Sequence, residues 1–390
     1  MKSLIIKTIL FFSLVCFIGY SLDPYFVEDK IDFRNYFAFY KKPKNSLNTI
    51  TIGNSHEHCG LNSRIISGKC QINAYNLSMA GTNLNEMFST LKEALRTQKS
   101  ELVIIENFAL LAPGQPQELL NKEGELIVNN PNFFYAKKTS FDKLKEANII
   151  FNDNVYYKSF NIFRNHETWS DTETASNVLS KYLSSQKINN HYDNALGTTQ
   201  INKSRAKKYS DTPFVDSITI SKDQKRIIKE IISLSKENNF QLIFTTVPFF
   251  NLYYEKTKKE YNVAYKQLKD LIGNHENVKF LDINKIKNLD ESYILDEKSK
   301  VLGNQHLNYK GKIIASNILA NYINNNLNIK DVNYIKSLTL ERLIYNVNNK
   351  EKDSSFLGSV NKVNGILNSG IKKNLPKEII IPKQNNFIEI

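Results

Sequence analysis

The stretch Asn48-Thr49-Ile50-Thr51-Ile52-Gly53-Asn54-Ser55-His56 is β-branched and apolar as far as a glycine and then turns polar. It reads as a buried strand, Thr49 to Gly53, ending in a tight turn that carries Ser55. A serine at such a turn is exposed and has backbone N–H groups beside it. Much later, His306-Leu307-Asn308-Tyr309-Lys310-Gly311 leads into a helix-like stretch from Gly311 to Ile323, which puts His306 in the loop before a helix. A serine at a strand end and a late histidine can form a nucleophile–base pair.

The same alternation continues outward from the first strand. A second apolar stretch runs from Ile72 to Leu77. Gly81-Thr82-Asn83-Leu84-Asn85-Glu86 then offers a polar cap to a helix with Met87, Phe88, Leu91 and Leu95 at helical spacing. Leu102-Val103-Ile104-Ile105 lacks alternation, as a strand covered on both faces does. After a long break come a helix from Ile220 to Asn238, a strand from Gln241 to Val247, a helix from about Tyr254 to Ile272 and a strand from Val278 to Ile283. Strands and helices in this order imply an α/β fold, a parallel sheet with helices on both faces. The site of such a sheet lies beyond the carboxyl ends of its strands, where Ser55, Gly81, Asn107 and the loop of His306 all fall.

Five parts follow from this reading. Residues 1–22 form a signal anchor or signal peptide and 23–46 a juxtamembrane spacer rich in aromatic and charged residues. Residues 47–111 and 218–326 make the catalytic domain. Pro113-Gly114-Gln115-Pro116 opens an insertion, 112–217, read as a cap or substrate subdomain, and 327–390 form an Asn- and Lys-rich appendage.

The amino terminus has Lys2 and Lys7 ahead of an apolar run from Thr8 to Leu22. Taken from Leu4, with Lys7 snorkelling, residues 4–22 approach membrane-spanning length, and no A-x-A-like cleavage site is evident. An uncleaved anchor is the favoured reading, with the positive flank in the cytoplasm and the rest exported, periplasmic or extracellular. Val15 precedes Cys16 where a lipoprotein signal has a small residue. Cys59 and Cys70 fit an oxidising compartment if they pair, and otherwise are two buried thiols.

Hydrophobic residues at 41% and aromatics at 11% exclude a disordered chain. The formal charge of +13 would suit an anionic partner, or else reflects lysines spread over solvated helix faces such as Lys222 to Lys236. No basic stripe interleaved with aromatics points to nucleic acid. His56-Glu57-His58-Cys59 has metal-ligand types, but not the spacing of a metalloprotease helix or a zinc finger, and no metal or cofactor is expected. His166, His191 and His275 read as surface or packing residues.

Taken together, the segments resemble the SGNH/GDSL hydrolase superfamily. Gly53-Asn54-Ser55-His56 is similar to its Gly-Asp-Ser block, Tyr75 to Thr82 to its second block, and His306-Leu307-Asn308-Tyr309-Lys310-Gly311 to the continuation of its closing Asp-x-x-His block. The resemblance covers about residues 47 to 111 and 218 to 326. It implies a three-layer flavodoxin-like sheet and an acyl-transfer site. Ser55 would attack an ester carbonyl and His306 take its proton, while the N–H groups of Ser55 and Gly81 face the oxyanion. The family's third donor, an Asn in Gly-x-Asn-Asp, has no counterpart. Asn107 is the substitute expected here and Asn83 its competitor.

The acid that the family places three residues before the histidine is replaced by Gly303, and the nearest polar residue is Asn304. Three readings stay open: a Ser-His dyad oriented by Asn304, an acid recruited from Asp296 or Asp282, or a degenerate site. By resemblance the chain is an esterase or O-acetyltransferase acting on acyl esters of a cell-surface polysaccharide or other acylated glycan. A transferase would need a multi-spanning membrane partner as acyl donor. The rivals are a catalytically dead glycan-binding or scaffold protein of the envelope, and a binder of membrane surfaces or anionic polymers.

Overall fold

Thr49–Ile52 lies between two parallel neighbours and its four side chains are buried. This strand, β1, is the first of five, followed by β2 (Ala74–Asn76), β3 (Leu102–Glu106), β4 (Gln241–Thr246) and β5 (Val278–Asp282). All pairings are parallel and the order is β2-β1-β3-β4-β5. Strand order reverses beside β1, which opens a crevice between the carboxyl ends of β1 and β3. The computed structural model describes residues 2–23, 26, 31–111, 119–121, 125–151, 155–169, 219–248, 251–287, 289, 293 and 306–329.

The unalternating apolar strands face two cores. On β3, Val103 and Ile105 enter one cluster and Leu102 and Ile104 the other. The first face is covered by α5 (Leu84–Thr97), α11 (Lys222–Glu237) and α12 (Asn251–Ile272), with Met87, Leu91, Ile227, Ile231 and Tyr261 buried there. The second is covered by α4 (Ser63–Cys70), α13 (Ile283–Ile286) and α14 (Tyr309–Asn326), through Ile66, Ile283, Ile314 and Leu319. Burying each such side chain is worth about 1.5–3 kcal/mol, so the two faces together outweigh any single polar contact at the sheet edge. Asn83 and Ser221 start α5 and α11 with reciprocal capping boxes to Glu86 and Gln224.

Helix α1 (Lys2–Leu22) has no buried residue. Its 21 residues reach about 32 Å at 1.5 Å per residue, against a hydrocarbon core of about 30 Å. It is long and apolar enough to cross a membrane.

Two expectations need correction. Residues 23–46 are not simply a spacer, because they include α2 (Ile31–Tyr40), whose Tyr36 and Phe39 are buried in the first core. Tyr36 donates to Thr90 Oγ1 at 2.9 Å, and Tyr75 donates to the Asn35 carbonyl at 2.9 Å. Tyr36, Phe39 and Tyr40 of the aromatic burst are thus packed against the first core. The described part of the insertion, likewise, has no core of its own. It forms α7 (Asn132–Tyr135), α8 (Phe141–Ile150), α9 (Val155–Ser159) and α10 (Asn161–Arg164), and Leu119, Phe133, Phe134 and Ala147 join the first core. The appendage lies outside the described residues beyond Ile329.

Candidate active site

Chain packing at the end of β1 requires the glycine. A Cβ on Gly53 would stand 2.4 Å from the Glu57 Cβ and 2.8 Å from the Glu106 Cβ. Asn54 then caps α3 (Ser55–Gly60), its side chain accepting from His56 N–H at 2.8 Å. Ser55 is therefore the first residue of a helix that starts directly at a strand end, half-exposed while the rest of α3 is buried.

The histidine arrives from the opposite end of the sequence. Asn308 caps α14, accepting from Lys310 N–H at 3.0 Å and Gly311 N–H at 3.1 Å. Residue 311 must be glycine, since a Cβ there would lie 2.6 Å from the Tyr293 carbonyl. α14 is fastened to the helices after β1: Lys312 Nζ donates to the His58 carbonyl at 3.2 Å, and Asn62 N–H donates to Ser316 Oγ at 2.8 Å. The result is a hydrogen bond of 2.8 Å between Ser55 Oγ and His306 Nε2. With the proton on Nδ1, Nε2 accepts from the serine hydroxyl, the arrangement a general base needs.

Beside this pair, Gly81 is exposed with φ of +76°, a conformation that glycine adopts without strain. The loop bearing it is fixed to the nucleophile turn, because the Gly53 carbonyl accepts from Met79 N–H at 3.1 Å and from the Thr82 hydroxyl at 3.2 Å. Asn107 directly follows β3 and is fully buried, and its side-chain amide nitrogen and oxygen bond to nothing among the described residues. Asn83 is committed elsewhere: its oxygen caps α5 and its amide donates to the Ile127 carbonyl at 2.8 Å. Of the two candidate donors, only Asn107 has a side-chain amide with no hydrogen bond among the described residues.

Burial disfavours the charged form of each titratable group around the turn. Burial, and then His306, push the His56 imidazole well below its ordinary range, and its ring stacks on Phe108 at 3.8 Å and 7°. That ring lies 5.3 Å from the His306 ring, so His56 is a neutral wall beside the candidate base. Burial, with help from Lys312, takes His58 down to about 3. Burial raises Glu57 to about 7, although the Ser78 and Thr51 hydroxyls and the Asn76 amide oppose the shift. Burial also lifts Glu106 well above the usual carboxylate range, with Glu57 adding to it. Sequence reading took His56 and Glu57 only as metal-ligand types and singled out neither the stacking on Phe108 nor Glu106. The only signal was an acidic residue in each of two otherwise buried segments.

The four-residue stretch His56 to Cys59 does not converge on a point, since successive side chains on a helix diverge. Among the described residues no three His, Cys, Asp or Glu side chains are placed to hold a metal ion. Cys59 and Cys70 form no disulfide, and the Cys70 thiol donates to the Ala320 carbonyl at 3.4 Å. Asp282 caps α13 through Asn284 N–H at 3.0 Å and accepts from the Tyr261 hydroxyl at 2.9 Å. Gly303, Asn304 and Asp296 lie outside the described residues. Comparison with known proteins finds no matching family model and no matching curated protein.

Proposed function

We propose that the chain is a membrane-anchored, exported serine hydrolase of SGNH type, an esterase or O-acetyltransferase acting on acyl esters of a cell-envelope polysaccharide. The observation that carries this reading is the 2.8 Å hydrogen bond between Ser55 and His306. Its position beyond the strand ends, on a sheet with the 2-1-3-4-5 order of flavodoxin-like folds, supports it.

In the proposed reaction, Ser55 Oγ attacks the acyl carbonyl carbon as its proton passes to His306 Nε2. The oxyanion that forms is met by the N–H groups of Ser55 and Gly81 and by the Asn107 side-chain amide. Collapse breaks the ester bond, and His306 returns its proton to the departing sugar oxygen. The acyl-Ser55 intermediate is then released by water in an esterase or by a second sugar hydroxyl in a transferase. A transferase would take its acyl group from a multi-spanning membrane partner. Asn304, the polar residue nearest to Gly303 and two positions before His306, is the proposed orienting group for the histidine in place of the family's acid.

The deciding experiment is p-nitrophenyl acetate turnover and fluorophosphonate labelling of the full chain in detergent, compared with Ser55→Ala. Turnover and labelling that both vanish in the variant support the proposal. A folded protein with neither activity nor labelling favours the second reading, a degenerate glycan-binding domain, which Gly303 at the acid position supports.

A further inference from the structure

The chain does not swing free where α1 ends. Asp23, the next residue, is 1% exposed, and its carboxylate accepts from three donors of the insertion. These are the Thr139 hydroxyl at 2.5 Å, Ile162 N–H at 3.0 Å and the Asn161 amide at 3.4 Å. Three residues on, the Phe26 carbonyl accepts from the Asn165 amide. Thr139 and the stretch from Asn161 to Asn165 are therefore latched to the emerging end of α1.

That segment is also where apolar surface is left uncovered. Outside α1, six large hydrophobic side chains are exposed among the described residues, and four of them are Phe141, Ile149, Tyr157 and Phe163. Phe141 is 70% exposed and Ile149 67%. With Lys145 they occupy positions i, i+4 and i+8 of α8, one stripe, while Lys143 and Ala147 are buried on the other side. Lys145 Nζ stands 4.6 Å from the Phe141 ring. Phe141 is two residues from Thr139 and Phe163 is next to Ile162. At 3.8 Å per residue both rings lie within about 10–15 Å of the end of α1.

We propose that α8 and α10 together present a bilayer-docking face, seated on an anionic phospholipid surface beside the point where α1 emerges. Phe141, Ile149 and Phe163 enter the headgroup boundary and Lys145 meets the lipid phosphates, the chemistry of interfacial amphipathic helices. Continuity with α1 selects lipid as the occupant, because a surface hydrogen-bonded to the end of a membrane span cannot leave the interface. The inference rests on α1 spanning the membrane and is independent of the catalytic reading.

The test uses the full chain in phosphatidylcholine–phosphatidylglycerol vesicles containing a lipid with a nitroxide near its headgroup. A fluorophore is placed on native Cys16, or, in a Cys16→Ser background, on Phe141→Cys, Ile149→Cys, Phe163→Cys or Asn325→Cys. Cys59 is buried and burial holds the Cys70 thiol up at about 12, which leaves the introduced thiol as the reactive one. Asn325, exposed on α14, reports the opposite sheet face. The proposal expects emission to fall at positions 16, 141, 149 and 163 and to hold at 325. Quenching at 16 alone overturns the docking face and leaves the anchor standing. No quenching at 16 removes the anchor and the docking face with it. Labels at 141 and 163 that are shielded from aqueous iodide but not quenched by lipid assign the face to a protein partner or a second copy, and overturn the proposal.

Discussion

His306 Nε2 and Ser55 Oγ meet at 2.8 Å although 251 positions separate them in sequence. Ser55 is the first residue of α3 and His306 lies in the loop just before the cap of α14, and the two helices are bonded together behind them. In the proposed mechanism the imidazole takes the serine proton. His306→Ala is expected to lower kcat for p-nitrophenyl acetate by at least about 10³-fold, an effect on the scale of single removals from other serine hydrolase sites. Steady-state kinetics on the purified variant checks this.

Asn107 separates a structural from a catalytic amide. Its buried side chain bonds to nothing among the described residues, so truncation removes no described hydrogen bond. Asn107→Ala is expected to leave the melting temperature within a few degrees and to lower kcat by about 10²-fold, the usual cost of one oxyanion donor. A lower melting temperature with unchanged kcat would assign the residue to packing.

The seam between α14 and the cap of α4 makes a stability prediction. Ser316 Oγ accepts the buried Asn62 N–H, so Ser316→Ala strands a donor without water. The cost should be about 1–3 kcal/mol, visible as a lower urea midpoint with the slope preserved.

Glu57 sets a pH dependence with a definite sign. Burial raises its folded-state value to about 7 from 4.5, so the folded protein holds the proton more tightly than the unfolded chain. The stabilisation from this group is complete below pH 4.5 and is lost as pH rises through about 7. Urea midpoints of the wild type should fall across that window. Glu57→Gln, which keeps the shape without the titration, should flatten the fall and be the more stable protein at pH 8. An unchanged slope in the variant would place the titration elsewhere.

The parts of the fold visible in sequence are those where one physical demand dictates one residue type. Burial on both faces makes Leu102 to Ile105 uniformly apolar, and His306 to Gly311 is readable because Leu307 fills the core, Asn308 caps a helix and Gly311 faces a carbonyl. α2 was obscured because Tyr36 and Phe39 stand among charged neighbours that suit a spacer equally well. The stacking of His56 on Phe108 could not be read locally either. His56 follows β1 and Phe108 follows β3, and they become neighbours because β3 is the strand beside β1.

The carbonyl of Gly53 serves as a rivet. It holds Met79 N–H and the Thr82 hydroxyl at once, so the serine turn and the glycine loop are two leaves of one joint. Slack in that joint cannot develop while β1 and β2 remain paired. Heating should therefore erase the geometry of Ser55 and Gly81 together and only when the sheet itself comes apart, with little gradual loosening beforehand.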